Sequence, residues 1–293
     1  MNINNLNNIL KKIGYKKVKD FKKIHHSSYL IKTYDEYELV VKTTNNSLLR
    51  KYRIFKEKNL YSQINKSIFN TFDVFFKKDF LISKKIKAVN EGEDVIYKYP
   101  SDIIKYTYLF QNINLKNNGF VLKMYNLTLD NPIIRISGNI HKFIRFIGFK
   151  KYCKILYLLV IKYSTSIGSV DFLNHGDIRG NILEDTNRRI YLYDFESYYI
   201  SKLFMGDVMH LAYDANTGKI DFNIINNYIK LIKKNPNYDL GYIKKQIQLG
   251  LLLCLTNGLG TKSKNKLNNK LNTIDFITNT QDFFRYLDKK LLF

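Results

Sequence analysis

Hydrophobic positions change period several times along this chain, and each change marks an element. Ile3, Leu6, Leu10 and Ile13 recur at three- and four-residue spacing, which predicts a leading helix. Between 18 and 42 the period shortens. Val18–Ile24, Tyr29–Tyr34 and Tyr37–Lys42 are short, β-branched and aromatic, and they are broken by His25-His26-Ser27-Ser28 and by Asp35-Glu36. Such runs predict a three-stranded antiparallel meander. Helical spacing returns over 47–64 through Leu48, Leu49, Tyr52, Phe55 and Leu60, and two more strands are expected near Asp73–Phe76 and Phe80–Ile86. From Asn90 to Asn118 the pattern is weak, with Glu91-Gly92-Glu93-Asp94 as a hinge or turn.

The second half reads as mainly helical. A helix is expected over 150–168 on Tyr152, Leu156, Leu159, Val160 and Tyr163, with others near 207–214, 222–234, 240–256 and 281–291. Two short β-like runs, Asn181–Glu184 and Arg189–Tyr193, flank the turn Asp185-Thr186-Asn187, and Thr261–Lys270 reads as a Lys/Asn/Ser loop. Sheet first and helices after is an α+β layout in two unequal lobes, with a small antiparallel-sheet lobe over 1–88 and a helical lobe over 89–293. No internal repeat is visible.

Composition narrows the classes. With 45% hydrophobic residues the chain has ample material for a core, and 3 Pro with 14 Gly exclude a collagen-like or linker-dominated architecture. Cys153 and Cys254 lie far apart in apolar stretches and read as core residues in a reducing compartment. They make no metal-ligand spacing with the five histidines, so a structural zinc site is not expected. The longest apolar runs, Ile155–Ile161 and Leu249–Leu255, fall well short of the roughly 20 residues that span a bilayer, and the Asn-rich start is unlike a signal peptide. The expectation is a cytoplasmic protein. A net charge of +23 leaves three readings open: compositional bias, an anionic membrane or glycolipid, or nucleic acid. The basic residues are 40 Lys and only 8 Arg, which counts against a dedicated phosphate or base reader, because Arg supplies the bidentate fork.

Chemistry concentrates in Asn174-His175-Gly176-Asp177-Ile178-Arg179-Gly180-Asn181, followed by Ile190-Tyr191-Leu192-Tyr193-Asp194-Phe195-Glu196. An acid, an Asn a few residues on, a strand pair and a second acid suit phosphoryl transfer, where the protein mainly positions groups and neutralises a heavily charged transition state. Read as turns, the same residues would be capping acids. At this point the sequence resembles the eukaryotic-like kinase superfamily. His-Gly-Asp in place of His-Arg-Asp is similar to its small-molecule branch of aminoglycoside phosphotransferases, choline kinases and lipopolysaccharide core sugar kinases.

The resemblance implies a bilobal kinase-like fold, ATP and Mg²⁺ as cofactors, and a role for each matching position. Asp177 would be the catalytic base, His175 a support for its loop, Arg179 a contact to the transferring phosphate, and Asn181 and Asp194 the metal ligands. Asn181 stands four residues after Asp177 where the family usually has five, and one local deletion accounts for this and for the short run to Asp194. The resemblance also implies a strand Lys and a helix Glu that hold the nucleotide phosphates, matched by Lys42 and by Glu57, the lone acid of helix 47–64. Glu57 could equally be a helix partner of Arg53. No GxGxxG is present. Ser27 and Ser28 take the phosphate-covering position or simply form a hairpin turn. Asp207 is either a brace for the catalytic loop or an N-cap. As acceptor the sequence favours a lipopolysaccharide core sugar, with choline and aminoglycosides as competitors. The enzyme would then sit at the inner face of an anionic membrane, nucleic acid is not an expected partner, and a kinase-shaped binding module without turnover is the alternative.

Overall fold

Strand alternation and helix phase build the fold seen in the structure, a computed structural model that describes residues 2–25, 27–44, 47–64, 70, 72–77, 79–113, 140–162, 172–233, 238–256 and 263–292. Contacts divide the chain into two units, 1–95 with 181–197, and 96–180 with 198–293.

In the first unit, α1 (Ile3–Lys12) starts at Asn2, whose side chain accepts the Asn5 N–H at 3.1 Å. Strands β1 (Val18–His25), β2 (Ser28–Thr33), β3 (Glu38–Thr43), β4 (Val74–Lys77) and β5 (Phe80–Lys84) form an antiparallel sheet in the order β1-β2-β3-β5-β4. The meander and both later strands fall within a residue or two of the expected bounds. Period-2 alternation splits each strand between two faces. Ile31, Leu39, Val41, Phe80 and Ile82 turn to one face and are buried with Leu6, Ile9 and Leu10 of α1. Val40, Lys42, Leu81 and Ser83 turn to the other and line a cavity. A one-residue slip in β3 would exchange Lys42 for Val41 there, and burial of the α1-facing residues forbids it. Helix α2 (Leu48–Tyr61) follows β3, and β6 (Ala88–Glu91), β8 (Ile182–Asp185) and β9 (Ile190–Leu192) make a second, three-stranded sheet.

As far as Ile113, the stretch with the weakest sequence pattern is regular structure, and 114–118 lie outside the described residues. It holds β6, α3 (Glu93–Lys98) and α4 (Pro100–Gln111), so Glu91–Asp94 is a strand end running into a helix. The buried side of α4 carries Thr107 and Gln111 beside Ile103, Ile104 and Phe110, which dilutes the apolar period.

The second unit continues with α5 (Ile140–Ile147) and α6 (Phe149–Leu156), the latter passing into a π-helical turn over Tyr157–Lys162. The expected helix over 150–168 is therefore two helical forms, and its end lies outside the described residues. Strands β7 (Phe172–Asn174) and β10 (Tyr199–Ser201) pair, and α7 (Met205–Ala212), α8 (Phe222–Ile232), α9 (Leu240–Thr256), α10 (Lys264–Thr278) and α11 (Thr280–Lys290) complete the unit. Two expectations are corrected. Most of Thr261–Lys270 is not loop but the first turns of α10, capped by Ser263, because the buried residues Ile274 and Ile277 that anchor the helix come later. Cys153 is exposed, whereas Cys254 is buried, since the phase of α6 puts Tyr152 and Ile155 inside and Cys153 out.

Residues 246–256 of α9 are buried on every side, the mark of a core helix. Its Gly250 lies so close to α7 that a Cβ there would sit 2.8 Å from the Met205 carbonyl oxygen and 2.9 Å from Met209 Cγ. Gly250→Ala is expected to cost about 1–3 kcal/mol by forcing these helices apart, measured by urea denaturation. No helix among the described residues is long and apolar enough to cross a membrane.

Candidate active site

The first unit assembles one half of the sequence constellation around Lys42. The ammonium reaches Glu57 Oε2 at 3.0 Å and Oε1 at 3.1 Å, and Asp194 Oδ1 at 2.6 Å. Strand β3 delivers the Lys to the cavity face of the sheet, and α2 delivers the Glu from a face that carries Arg50, Arg53, Glu57 and Tyr61 at helical spacing. That face reads the whole Asp194-Phe195-Glu196 segment. Arg50 and Arg53 lie 3.3 and 3.7 Å from the two oxygens of Glu196, and the Tyr61 ring meets the Phe195 ring edge-on at 5.0 Å. Glu57 thus pairs with Lys42, and Arg53 pairs with Glu196. Asp194 itself has φ +56, a left-handed backbone that an L-residue adopts at a cost and that functional turns tend to store.

Three carboxylates compete for Lys42. Burial alone would lower the Lys42 pKa, but Glu57, Asp194 and Glu196 outweigh it, so the ammonium is held above the ordinary lysine range. Burial pushes Glu57 up to about 7, with Lys42 pulling the other way and Asp194 and Glu196 adding to the rise. The cavity beside this pair, about 380 Å³, is lined by Ile24, Ser28, Val40 and Leu81 as well as Lys42, Tyr193 and Asp194. Its size and its apolar walls around a few charged groups suit a small molecule. Ser28 reaches this cavity. Ser27 is buried, and its carbonyl oxygen accepts the Thr43 N–H at 2.8 Å. His26 lies outside the described residues.

Asn181 sits at the head of β8, with its carbonyl accepting the Tyr193 N–H at 3.1 Å. Asp194 and Asn181 are hard oxygen donors, the type Mg²⁺ takes, and few protein ligands suffice because phosphate and water complete its shell. Asp194 retains about a third of its side-chain exposure. The donor set therefore fits Mg²⁺. No group of three or more His, Cys, Asp or Glu side chains that could hold a metal occurs among the described residues.

The second unit holds the other half. Asp177 is exposed at the end of the loop that leaves β7, one residue before a 3₁₀ turn over Ile178–Gly180. Asp207, fully buried in α7, accepts the N–H groups of His175 at 2.6 Å and Gly176 at 3.0 Å. It is a brace for this loop rather than an N-cap. Gly176 has φ +81, which this bend requires and which other residues rarely adopt. His175 is buried with its ring 5.8 Å from that of Phe110, consistent with support from within the core. Arg179 donates to the carbonyl oxygen of Tyr213, which ties the loop to the end of α7.

Sequence reading gave no role to the polar network under this loop. Asn174 donates to the Leu203 carbonyl at 3.0 Å, Gln111 donates to the Phe204 carbonyl at 2.6 Å, and Gln246 accepts the Phe204 N–H at 3.1 Å. These buried amides satisfy backbone groups just before α7. Their sequence signal is polarity at inward positions of a strand and two helices.

Burial pushes Asp207 up to about 6 against the Gly176 and His175 N–H bonds. A raised carboxyl pKa means the folded state binds the proton more tightly. The associated stability is complete below the ordinary value of 3.8 and is lost as pH rises through about 6. Asp207→Asn should remove that part of the pH–stability profile. Near neutral pH it should also cost about 1–3 kcal/mol, because one loop N–H then faces an amide donor; denaturation at a series of pH values measures both effects.

No known protein-family model matches the chain, and no curated protein matches it in sequence. Solved structures do match in fold. Choline kinase LicA from Streptococcus pneumoniae superposes with a TM-score of 0.59 at 12% identity, covering 94% of this chain and 98% of that one. ADP-bound aminoglycoside phosphotransferase APH(2″)-Ib gives 0.59 at 11% identity, covering 97% and 99%. An ethanolamine kinase from Plasmodium vivax gives 0.58 at 14% identity, covering 91% and 83%. The chain has an α+β kinase-like fold, like these structures. Identities this low carry the fold and no more.

Proposed function

We propose that this protein is an ATP-dependent phosphotransferase that moves the γ-phosphate to a hydroxyl of a small molecule. The observation that carries the reading is Lys42 held between Glu57 and Asp194, beside a cavity of nucleotide size. The ammonium would bind phosphate oxygens, with Glu57 fixing its position so that no side-chain ordering is left to the reaction step. Asn181 and Asp194 would hold Mg²⁺, which when bound supplies charge neutralisation on the phosphates. Asp177 would orient the acceptor hydroxyl and take its proton as the oxygen bonds to the γ-phosphorus and the bond to the β-phosphate oxygen breaks. Arg179, whose guanidinium donates to the Tyr213 carbonyl and so steadies the loop, would contact the transferring phosphate.

The acceptor is ranked by charge. A net +23 favours an anionic molecule, of which a lipopolysaccharide core sugar is the first choice, over cationic choline or an aminoglycoside. The fold neighbours are named for the latter two classes, so the test panel needs all three. A non-transferring nucleotide binder is the second reading, favoured by the short spacing from Asp177 to Asn181. Incubation with Mg²⁺ and γ-labelled ATP against lipopolysaccharide core oligosaccharide, choline, ethanolamine and an aminoglycoside separates them. Label transfer to one acceptor supports the enzyme. Calorimetric ATP binding without transfer to any acceptor supports the second reading, and absence of nucleotide binding overturns both.

A further inference from the structure

Net positive charge in this chain is unevenly spread, because the acids are missing from one stretch. From Asn131 to Val170 the sequence has seven Lys or Arg and no Asp or Glu. Compositional bias toward Lys does not explain a run without acids. Helices α5 and α6 belong to this run and are joined at Gly148, whose φ of +77 makes the turn. Tyr152 and Ile155 point α6 into the unit. Its outward side carries Phe149, Cys153 and then Tyr157 at four-residue spacing, with Lys150 and Lys154 alongside. Phe149 is 64% exposed and Tyr157 55%, among the most exposed large apolar side chains described. Lys151 turns away to pair with Asp275, whereas Lys150 and Lys154 have no ion-pair partner among the described residues.

We propose that this face of α6 docks on an anionic lipid surface. An aromatic stripe bordered by lysines suits the headgroup boundary: rings enter the acyl edge while ammonium groups reach lipid phosphates on flexible stems. Charge complementarity selects the occupant, because Lys150 and Lys154 border the stripe with no ion-pair partner among the described residues. Nothing in this inference depends on the phosphotransferase reading.

Flotation with vesicles of phosphatidylcholine, alone or with roughly one-third phosphatidylglycerol, tests it. The full chain should float with the anionic vesicles and stay behind with the neutral ones. Lys150→Glu/Lys154→Glu should lower anionic-vesicle affinity on the order of tenfold or more. Phe149→Ser/Tyr157→Ser should also weaken binding, because rings on the bilayer contribute apolar burial that bulk charge attraction lacks. Lys22→Glu/Lys23→Glu on the exposed strand β1 makes the same change in net charge elsewhere and should lower affinity much less. All four positions, three on α6 and Tyr157 in the π-helical turn after it, are exposed, and far-ultraviolet circular dichroism verifies that each variant is folded. Equal losses from the β1 and α6 reversals, no loss on removing the two rings, absence of flotation, or tighter retention by DNA than by anionic vesicles would each overturn the proposal.

Discussion

Replacing Asp177 by Asn should lower phosphoryl transfer by on the order of 10²–10⁴-fold, the range for loss of a positioned general base. ATP affinity should hardly change. The side chain is exposed, and the loop that presents it is fixed from beneath through Asp207 and the His175 and Gly176 N–H groups, neither of which the substitution touches. Stability should therefore stay within about 0.5 kcal/mol of the parent, as for other surface changes. Single-turnover kinetics with calorimetry of ATP binding checks both halves. An unchanged rate would remove Asp177 from the chemistry, and a large fall in Tm would show that the residue serves the fold instead.

Lys42→Met should produce the other large effect, and it should be visible in two measurements. Loss of a preorganised cation at the phosphates should reduce turnover on the order of 10²–10³-fold. It also leaves Glu57 buried without its partner, a loss of about 3–5 kcal/mol for a broken buried pair. The sign of the pH dependence follows from Glu57, which burial already lifts from 4.5 to about 7. A raised acid pKa contributes stability that is complete below 4.5 and lost as pH rises through about 7. Without Lys42 the carboxyl rises further, so the variant should be most destabilised at alkaline pH and recover as Glu57 takes up a proton. Lys42→Met/Glu57→Gln should regain much of the stability and none of the turnover. If the single variant were equally destabilised at pH 6 and 8, Glu57 would not be the buried charge at fault.

Much of this was readable before any coordinates. The strands from 18 to 42 declared themselves because a sheet with one packed face enforces strict alternation, and Ile31, Leu39 and Val41 keep to it. Asp177, Asn181 and Asp194 stood out because phosphoryl transfer needs acids and an amide in a fixed local order. Helix α4 was obscured because its inner side uses Thr107 and Gln111, and Gln111 serves the Phe204 carbonyl, a partner far away in the chain. The exposure of Cys153 was misread because it stands between Tyr152 and Ile155, and only the packing of α6 shows that those two turn inward and Cys153 outward.

Local pattern by itself therefore showed the strands of the first unit's larger sheet, the α+β class and the candidates for the chemistry, since each depends on neighbours within a few positions. Tertiary structure decided the pairings. Whether Glu57 takes Lys42 or Arg53, whether Asp207 caps a helix or braces a loop, and which side of α6 meets solvent all depend on residues distant in sequence. Burial settles such choices, because a desolvated charge or amide must find a partner wherever the fold provides one.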